Sequence, residues 1–416
     1  MRALVVSGAM IVACENAGDA KAPKTPAAGT RVASATVRVS HRDSVPGFTV
    51  PAQCARGSIP APRKAAPAYV SAPRTRADSA ARARADSLHM AGLASDSGRD
   101  TTTIAQSAAA APATPAVKPA PKSAKAARAD SIARVRAKER ADSLRLIALQ
   151  TDSAATHRLP GSLLPGCRVV AYYGNPMSKR MGILGEIKPD SMLARLAKQA
   201  AAYAAVDSAR PVLPALELIA TVAQAGPGKS GLYRARMPDT LIERVMGWAE
   251  KHHYLVILDI QTGRSTMATE LVPLMKYLAR PYVHLALDPE FSIGTKRVPG
   301  QVIGRIDAAD VNAVSAVLAN LVDSLRLPPK MLIVHRFTTP MLSNHQKIRL
   351  DPRVQIVIDM DGFGPPRLKY GSYKAYVHDR PVQFAGFKVF YKNDKPMLTP
   401  QQGLEMIPVP LFIMYQ

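Results

Sequence analysis

Residues 255–290 read LVILDIQTGRSTMATELVPLMKYLARPYVHLALDPE, and this stretch decides the fold. It holds two short apolar runs, Leu255–Ile260 and Val283–Leu287, on either side of a helix-like segment. Both runs are continuous rather than alternating, which is typical of parallel strands covered on both faces. An acidic residue marks the end of each run, Asp259 in the first and Asp288 directly after the second. The stretch therefore predicts a strand–helix–strand unit with carboxylates at the ends of its strands.

The same pattern of short apolar runs separated by helix-like stretches continues on both sides of this unit. Eight apolar runs occur after Cys167, each followed by a helix-like stretch: 169–173, 212–219, 255–260, 283–287, 331–335, 354–358, 384–391 and 411–415. Helix-start signals support this division, with Thr240 and Glu243 in a capping-box pattern and Asp307 as an N-cap. Eight strands with crossovers in a segment of this size predict a (β/α)8 barrel. A doubly wound open sheet is the alternative, but no dinucleotide glycine pattern follows the first strand.

Upstream of the barrel the composition changes. Of 8 Phe, 13 Tyr and 1 Trp, residues 1–157 hold only Phe48 and Tyr69. Such a segment buries too little apolar surface to offset the entropy lost on ordering it. The sequence therefore predicts a disordered basic linker rich in Ala, Pro and Arg over 14–157, ahead of the barrel over 158–416. The linker carries four Arg-Ala-Asp-Ser repeats, at 76–79, 84–87, 128–131 and 140–143.

The chain is strongly basic, with 55 Lys and Arg against 31 Asp and Glu, a formal charge of +24. We interpret the linker as a solvated spacer, and contact of its charge with anionic envelope polymers or lipid head groups is the alternative. Nucleic acid is not expected as a partner, because the linker lacks the aromatic platforms that stack on bases. The sequence gives no oligomeric state.

The first fourteen residues indicate export. One Arg precedes a mostly apolar stretch that is too short to span a bilayer, and this stretch ends Ile11-Val12-Ala13-Cys14. The ending resembles the bacterial lipobox. The resemblance implies a signal peptide over 1–13 that is cleaved before Cys14, a lipid on the Cys14 sulfur and attachment to a membrane outside the cytoplasm. An ordinary secretory signal is the alternative. In an oxidising compartment Cys54 and Cys167 can pair, and two free thiols are the other possibility.

Barrels of this class place their chemistry at the carboxyl ends of the strands. Reading each strand end predicts a candidate site that is unusually acidic for a basic chain. Its catalytic candidates are Glu290, Asp288, Asp259 and Asp359, and its substrate-binding candidates are Tyr172, Tyr173, Glu217, Gln261, His335, Asp361 and Tyr391. Buried carboxylates are unfavourable unless they are paired or used. A rim of carboxylates bonded to Arg264, Arg297, Arg336 or Lys388 is the structural alternative.

The pattern Asp288-Pro289-Glu290 at the end of the fourth strand is the most specific local feature. Residues two apart on a strand face the same way, so the pattern predicts two carboxyl groups pointing into the barrel mouth. One ionised and one protonated carboxyl group are what glycosidic cleavage requires. The pattern resembles the Asp-x-Glu of glycoside hydrolase families 18 and 25, the chitinases and lysozyme-like muramidases, which are also (β/α)8 barrels.

That resemblance implies that Glu290 is the general acid and Asp288 its polarising partner. The chain departs from those families in two ways, because its first strand has no acidic residue and its seventh strand has no Glu. Asp259 or Asp359 is the predicted replacement carboxylate, and Tyr172, Tyr173 and Tyr391 are candidates for stacking on sugar rings.

Other chemistries fit less well. The segment Gly226-Pro227-Gly228-Lys229-Ser230 resembles the end of a phosphate-binding loop but lacks its first glycine, because Ala223 stands there. A metal site can be drawn from His335, Asp259 and Asp359, but no His-x-His follows the first strand, so neither a metal nor a cofactor is predicted. The sequence leaves two functions open: an envelope glycosidase acting on a cell-wall or extracellular glycan, and a non-catalytic barrel that binds such a polymer.

Overall fold

The computed structural model describes residues 159–416, together with Cys54 and two short paired strands, Val5–Val6 and Ala9–Met10. The remainder of the predicted signal peptide, the lipidation site Cys14 and the predicted linker with its four repeats lie outside the described residues.

Eight parallel strands close into a barrel, as the sequence predicts. Each strand pairs in parallel with the next along the chain, and the last pairs with the first. In chain order they are β1 (Arg168–Gly174), β2 (Val212–Ala223), β3 (Leu255–Ile260), β4 (Val283–Leu287), β5 (Lys330–Arg336), β6 (Val354–Met360), β7 (Phe384–Val389) and β8 (Phe412–Tyr415). All eight carboxyl ends therefore meet at one mouth.

The connections hold the helices that cover the strands. They are α1 (Ile183–Glu186), α2 (Pro189–Val206), α3 (Asp239–His252), α4 (Met267–Leu271), α5 (Met275–Leu278), α6 (Ala308–Leu325), α7 (Pro366–Tyr373) and α8 (Pro400–Leu404). The crossover from β5 to β6 is different, because it holds a short strand, Leu342–Ser343, and a 3-10 turn, His345–Lys347, in place of an α-helix. The short strand pairs with Ile306–Asp307.

The two helix-start predictions have different outcomes. Asp307 caps α6 as predicted, accepting from the backbone N–H of Ala309, and Asp310 completes a capping box. The capping box predicted from Thr240 and Glu243 is wrong, because α3 begins at Asp239 and its N-cap position, Pro238, provides no side-chain cap. Proline restricts the backbone angle at the entry to the helix but leaves the first N–H groups without a side-chain acceptor.

The core lies between the strands and the helices. The strands are almost fully buried, and α6 packs residues such as Val311, Val314 and Leu318 against them. By length and composition α6 is also apolar enough to cross a membrane, but 44% of that window is buried inside the protein. This pattern is typical of a core helix in a barrel of this kind.

A disulfide ties the upstream segment to the barrel. Cys54 bonds to Cys167, the residue directly before β1, across a sequence separation of 113 residues. Both side chains are fully buried. Of the two possibilities that the sequence leaves for these cysteines, the structure has the pair, and this cross-link fixes one point of the upstream chain at the amino-terminal end of β1.

Candidate active site

His335 lies at the centre of the acidic mouth. Its Nε2 atom is 3.0 Å from Oε1 of Glu217 and 4.0 Å from Oδ1 of Asp259. On the other side of the ring, Nδ1 is 3.2 Å from Oδ2 of Asp359. We call Glu217, Asp259, His335 and Asp359 the His335 cluster. Its members come from β2, β3, β5 and β6, and all four side chains are buried.

Strand register explains how these residues meet. Side chains paired across a parallel ladder point to the same face, and the register pairs His335 with Asp359 and Tyr173 with Glu217. These four side chains contact one another or Asp259 inside the barrel. Every member of the His335 cluster is predicted from the sequence, with Glu217 and His335 among the substrate-binding candidates. The structure brings His335 into direct contact with two carboxylates.

Burial and charge act against each other at His335. Burial alone disfavours the imidazolium, but the hydrogen bonds to Asp359 and Glu217 outweigh it and raise the pKa of His335 well above its ordinary value. Burial raises the pKa of Glu217, partly offset by its hydrogen bond to His335. Burial likewise raises the pKa of Asp259 to about 7. The arrangement therefore favours the protonated form of His335 and also raises the proton affinity of Glu217 and Asp259.

A chain of hydrogen bonds links this cluster to the fourth strand. The hydroxyl of Tyr173 donates to Oδ2 of Asp259 at 3.2 Å, and Nε2 of Gln261 donates to that hydroxyl at 3.3 Å. The same amide nitrogen donates to Oδ2 of Asp288 at 3.1 Å. Tyr173, Gln261 and Asp288, three separate predictions from strand ends, thus belong to one connected network. In that network Tyr173 is a hydrogen-bonding group beside Asp259.

Asp288 and Glu290 lie on a turn and not on a strand face. The strand β4 ends at Leu287, and Pro289–Phe291 form a 3-10 turn in which Oδ1 of Asp288 accepts from the backbone N–H of Glu290 at 3.1 Å. The prediction that the two residues share a strand face is therefore wrong. Pro289 is the physical reason, because it has no N–H with which to continue the ladder. Both carboxyl groups are nevertheless buried, with exposed fractions of 4% and 3%.

The rim of the mouth holds further ionisable groups. Oδ2 of Asp361 is 3.9 Å from Nδ1 of His335, and burial raises the pKa of Asp361 to about 6. Burial, helped by the nearby charge of Asp259, raises the pKa of Asp288 to about 6 as well. Nζ of Lys388, on β7, lies 3.7 Å from the ring centroid of Tyr173. The sequence predicts Lys388 only as a possible ion-pair partner of the rim carboxylates. The structure places its ammonium group at the acidic mouth.

The predicted arginine partners do not neutralise these acids. Arg336 donates to the backbone carbonyls of Thr338, Thr339 and Leu342. Arg264 donates to the carbonyl of Arg297 and stacks on Tyr233. Among the described residues, His335 and Lys388 act on most of these acids, and Lys369, which pairs with Asp394, also interacts with Asp359 and Asp361.

Tyr172 and Tyr391 form a separate network. Successive residues of a strand face opposite sides, so Tyr172 points away from Tyr173 and toward the helical layer. Its hydroxyl lies 2.8 Å from that of Tyr391, and both rings pack against Tyr415. Arg195 of α2 stacks on Tyr391. The structure does not bring these two tyrosines into the hydrogen-bonded network around His335.

The loop after Glu290 encloses a cavity. A space of about 420 Å³ is bounded by segments 292–294 and 302–305, together with Arg297 and Pro340. The backbone N–H of Gly304 donates to the carbonyl of Glu290 at 2.6 Å, which ties this loop to the turn that carries the predicted acid.

The sequence matches no protein-family model and no curated protein. The likeness to glycoside hydrolases therefore rests on Asp288, Glu290 and the barrel fold.

Proposed function

We propose that this barrel hydrolyses glycosidic bonds of a cell-wall or extracellular glycan, with Glu290 as the general acid and Asp288 as its partner. The observation that carries the proposal is the environment of Asp288. This buried carboxyl group holds the Glu290 backbone through one oxygen and Gln261 through the other, and its pKa is raised to about 6. A partner carboxyl group that exchanges its proton near neutral pH, and that is fixed to the backbone of Glu290, can adjust its charge as the general acid gives up its proton to the glycosidic oxygen.

The remaining acids have supporting roles in this proposal. Asp259 and Asp359 lie deeper than Asp288, are fully buried and bond to Tyr173 and His335. They set the charge around the reacting groups. Asp361 lies at the rim, and burial raises its pKa to about 6, as it does for Asp288. A sugar ring with several hydroxyl donors suits a mouth that is rich in carboxylate acceptors.

The neighbouring cavity supports the substrate class. Its lining includes Arg297 and Arg305, and it begins two residues after Glu290. Guanidinium groups bind carboxylates in a bidentate manner, so this cavity favours a glycan with acidic substituents. Cell-wall polymers commonly carry such groups, and the proposal therefore places one saccharide unit of an acidic glycan in this cavity, next to the bond that is cleaved.

The test is the substitution Glu290→Gln in the full chain, with release of reducing ends from a panel of cell-wall and chitin-type glycans as the measurement. The variant should lose about 10²- to 10⁴-fold in turnover while keeping its fold and its affinity for glycan. Glu243→Gln is the matched control, because Glu243 is an exposed residue of α3 that pairs with Arg280. Turnover in Glu290→Gln equal to that of the parent rejects the assignment. Glycan binding by the parent without any hydrolysis instead supports the non-catalytic barrel.

We also propose that the protein is exported and held at a membrane by a lipid on Cys14. The disulfide between Cys54 and Cys167 supports this location, because such bonds persist in oxidising compartments outside the cytoplasm. Labelling with radioactive palmitate should mark the parent chain and leave a Cys14→Ser variant unlabelled. Equal labelling of the two chains contradicts the lipid anchor.

A further inference from the structure

The His335 cluster has an imbalance of charge that the proposed hydrolysis does not explain. Five buried carboxyl groups influence one another electrostatically at the mouth, and the described cations that act on them are His335, Lys388 and Lys369, the last of which is already paired with Asp394. These carboxyl groups are Glu217, Asp259, Asp288, Asp359 and Asp361. Isolated charges in such a place are strongly unfavourable, so the excess is neutralised either by protons or by a bound cation.

Several carboxylate oxygens in the cluster lack a hydrogen-bond partner. Oε1 of Glu217 faces His335, but Oε2 is buried without a partner. Oδ2 of Asp259 accepts from Tyr173, but Oδ1 is buried without a partner and lies 4.0 Å from Nε2 of His335. Buried polar atoms are nearly always satisfied in proteins, so these oxygens indicate a missing ligand.

Three donor atoms converge at this point. One carboxylate oxygen of Glu217, one of Asp259 and one nitrogen of His335 lie within 4.8 Å of one another. A first-row metal between them needs each donor at about 2.0–2.2 Å, so metal binding requires the three side chains to move inward. Behind them, Asp359 accepts from Nδ1 of His335, which is the arrangement that orients a metal-binding histidine.

We propose that Glu217, Asp259 and His335 bind a divalent first-row transition metal, with Nε2 of His335 as the nitrogen ligand. One imidazole and two carboxylates suit Zn²⁺ or Mn²⁺ better than Ca²⁺ or Mg²⁺, which prefer oxygen ligands throughout. Binding replaces the proton on Nε2, so this proton leaves to solvent as the metal enters. The site is distinct from the glycosidase proposal, since neither Glu290 nor Asp288 is a ligand.

The structure assigns separate tasks to the surrounding residues. Asp359 holds the histidine ring in the orientation that presents Nε2, and Tyr173 fixes Asp259 through Oδ2, which leaves Oδ1 for the metal. Both are positioning residues and neither is a ligand. The loss of such a neighbour weakens metal affinity about 10- to 100-fold. The loss of a ligand is more severe, by roughly 100-fold or more.

The experiment uses the full chain after treatment with a chelator and dialysis. Titration with Zn²⁺ and, separately, Mn²⁺ is followed by calorimetry, and thermal melting is recorded with and without each metal. One equivalent should bind per cluster and raise the melting temperature. Glu217→Gln and Asp259→Asn should each lose that equivalent, while Asp359→Asn should bind 10- to 100-fold more weakly.

The controls separate this site from adventitious binding. His252→Gln and Glu243→Gln change exposed residues of α3, outside the mouth, and should leave the titration unaltered. The amide variants keep the side-chain shape and remove a repelling charge, so their folded state should survive, which circular dichroism checks. Asp359→Asn is the second variant if either ligand variant fails to fold. Binding that is absent from the parent, or that is equal in the parent and in all three cluster variants, overturns the proposal.

Discussion

Gly386 lies directly beside Asp359 in the barrel. The register pairs the two residues, and a methyl group at position 386 would lie 2.8 Å from Oδ1 of Asp359. The same methyl group would meet the backbone oxygen of Phe412 at 3.0 Å. The absence of a side chain at this point of β7 therefore creates the room in which Asp359 bonds to His335.

Gly386→Ala should consequently destabilise the protein by about 1–3 kcal/mol, since a packed interior accommodates an added methyl group poorly. Chemical denaturation with a chelator present measures the effect. Gly247→Ala is the matched control, because Gly247 lies within α3 with no atom within 4 Å of the added group. That change should stabilise the helix by about 0.5–1 kcal/mol. Equal stability of Gly386→Ala and the parent argues against the tight contact.

His335→Gln should be much more damaging than Glu217→Gln. The first change removes the cation that bonds to two buried carboxylates, and breaking such a group costs about 3 kcal/mol or more. The second removes one negative charge from a site with an excess of them, and should cost less than about 1 kcal/mol. The free energy of unfolding in urea, measured without metal, compares the two. The reverse order would show that His335 is not the charge that holds the cluster together.

The burial of Lys330 should make the stability of the protein depend on pH. Its ammonium group is fully buried at the start of β5, where it donates to the carbonyls of Arg280 and Val283. Burial lowers the pKa of Lys330 from 10.5 to about 7. Between these values the unfolded chain binds more protons than the folded one, so the free energy of unfolding rises with pH in that window.

Lys330→Met removes this titration. Relative to Lys330→Met, the parent should therefore gain about 1 kcal/mol of unfolding free energy for each pH unit between pH 7 and pH 10. Below pH 7 the difference between the two chains should stay constant. His284 is the titratable neighbour, and burial keeps its pKa far below this window. A difference that does not vary with pH contradicts the burial of a titrating lysine.

The disulfide should contribute measurably to stability. It closes a loop of 113 residues, and a cross-link of this span stabilises a folded chain by about 2–4 kcal/mol. Cys54→Ser, in a Cys14→Ser background that prevents thiol exchange, should lose this amount. Cys167→Ser and the double variant should lose the same amount, and a reducing agent should destabilise the parent without affecting the double variant. Additive losses in the two single variants contradict a bond between them.

Much of the architecture is readable along the chain. Continuous apolar runs with intervening helical stretches predict eight parallel strands, and the observed strands agree in number and order. The exact ends of the strands are less predictable. For example, β2 continues to Ala223, because residues Arg234–Arg236 pair with its last residues. Pro289 is a signal that the fourth strand stops at Leu287, and its missing N–H accounts for the turn that carries Glu290.

The sequence predicts which side chains reach the mouth of the barrel, but not which of them contact one another there. A strand end indicates that a side chain reaches the mouth, since the carboxyl ends of a barrel converge. It does not indicate which atoms meet there. Lys388 and Gly386 illustrate the gap: a lysine becomes the neighbour of Tyr173, and a glycine inside a strand makes room for Asp359.

The sequence by itself determined the barrel, its acidic mouth and the strands that contribute to it, because burial and backbone pairing impose a local periodicity on neighbouring residues. The closed barrel, by contrast, is what places His335 between Glu217 and Asp359, turns Tyr172 away from the site and leaves three carboxylate oxygens of the His335 cluster without hydrogen-bond partners. Glu217 and His335 are 118 residues apart in sequence, and their contact depends on strand register and barrel closure. Hydrogen bonds and proton affinities are set by atoms within a few ångströms in space, which only the closed barrel brings together.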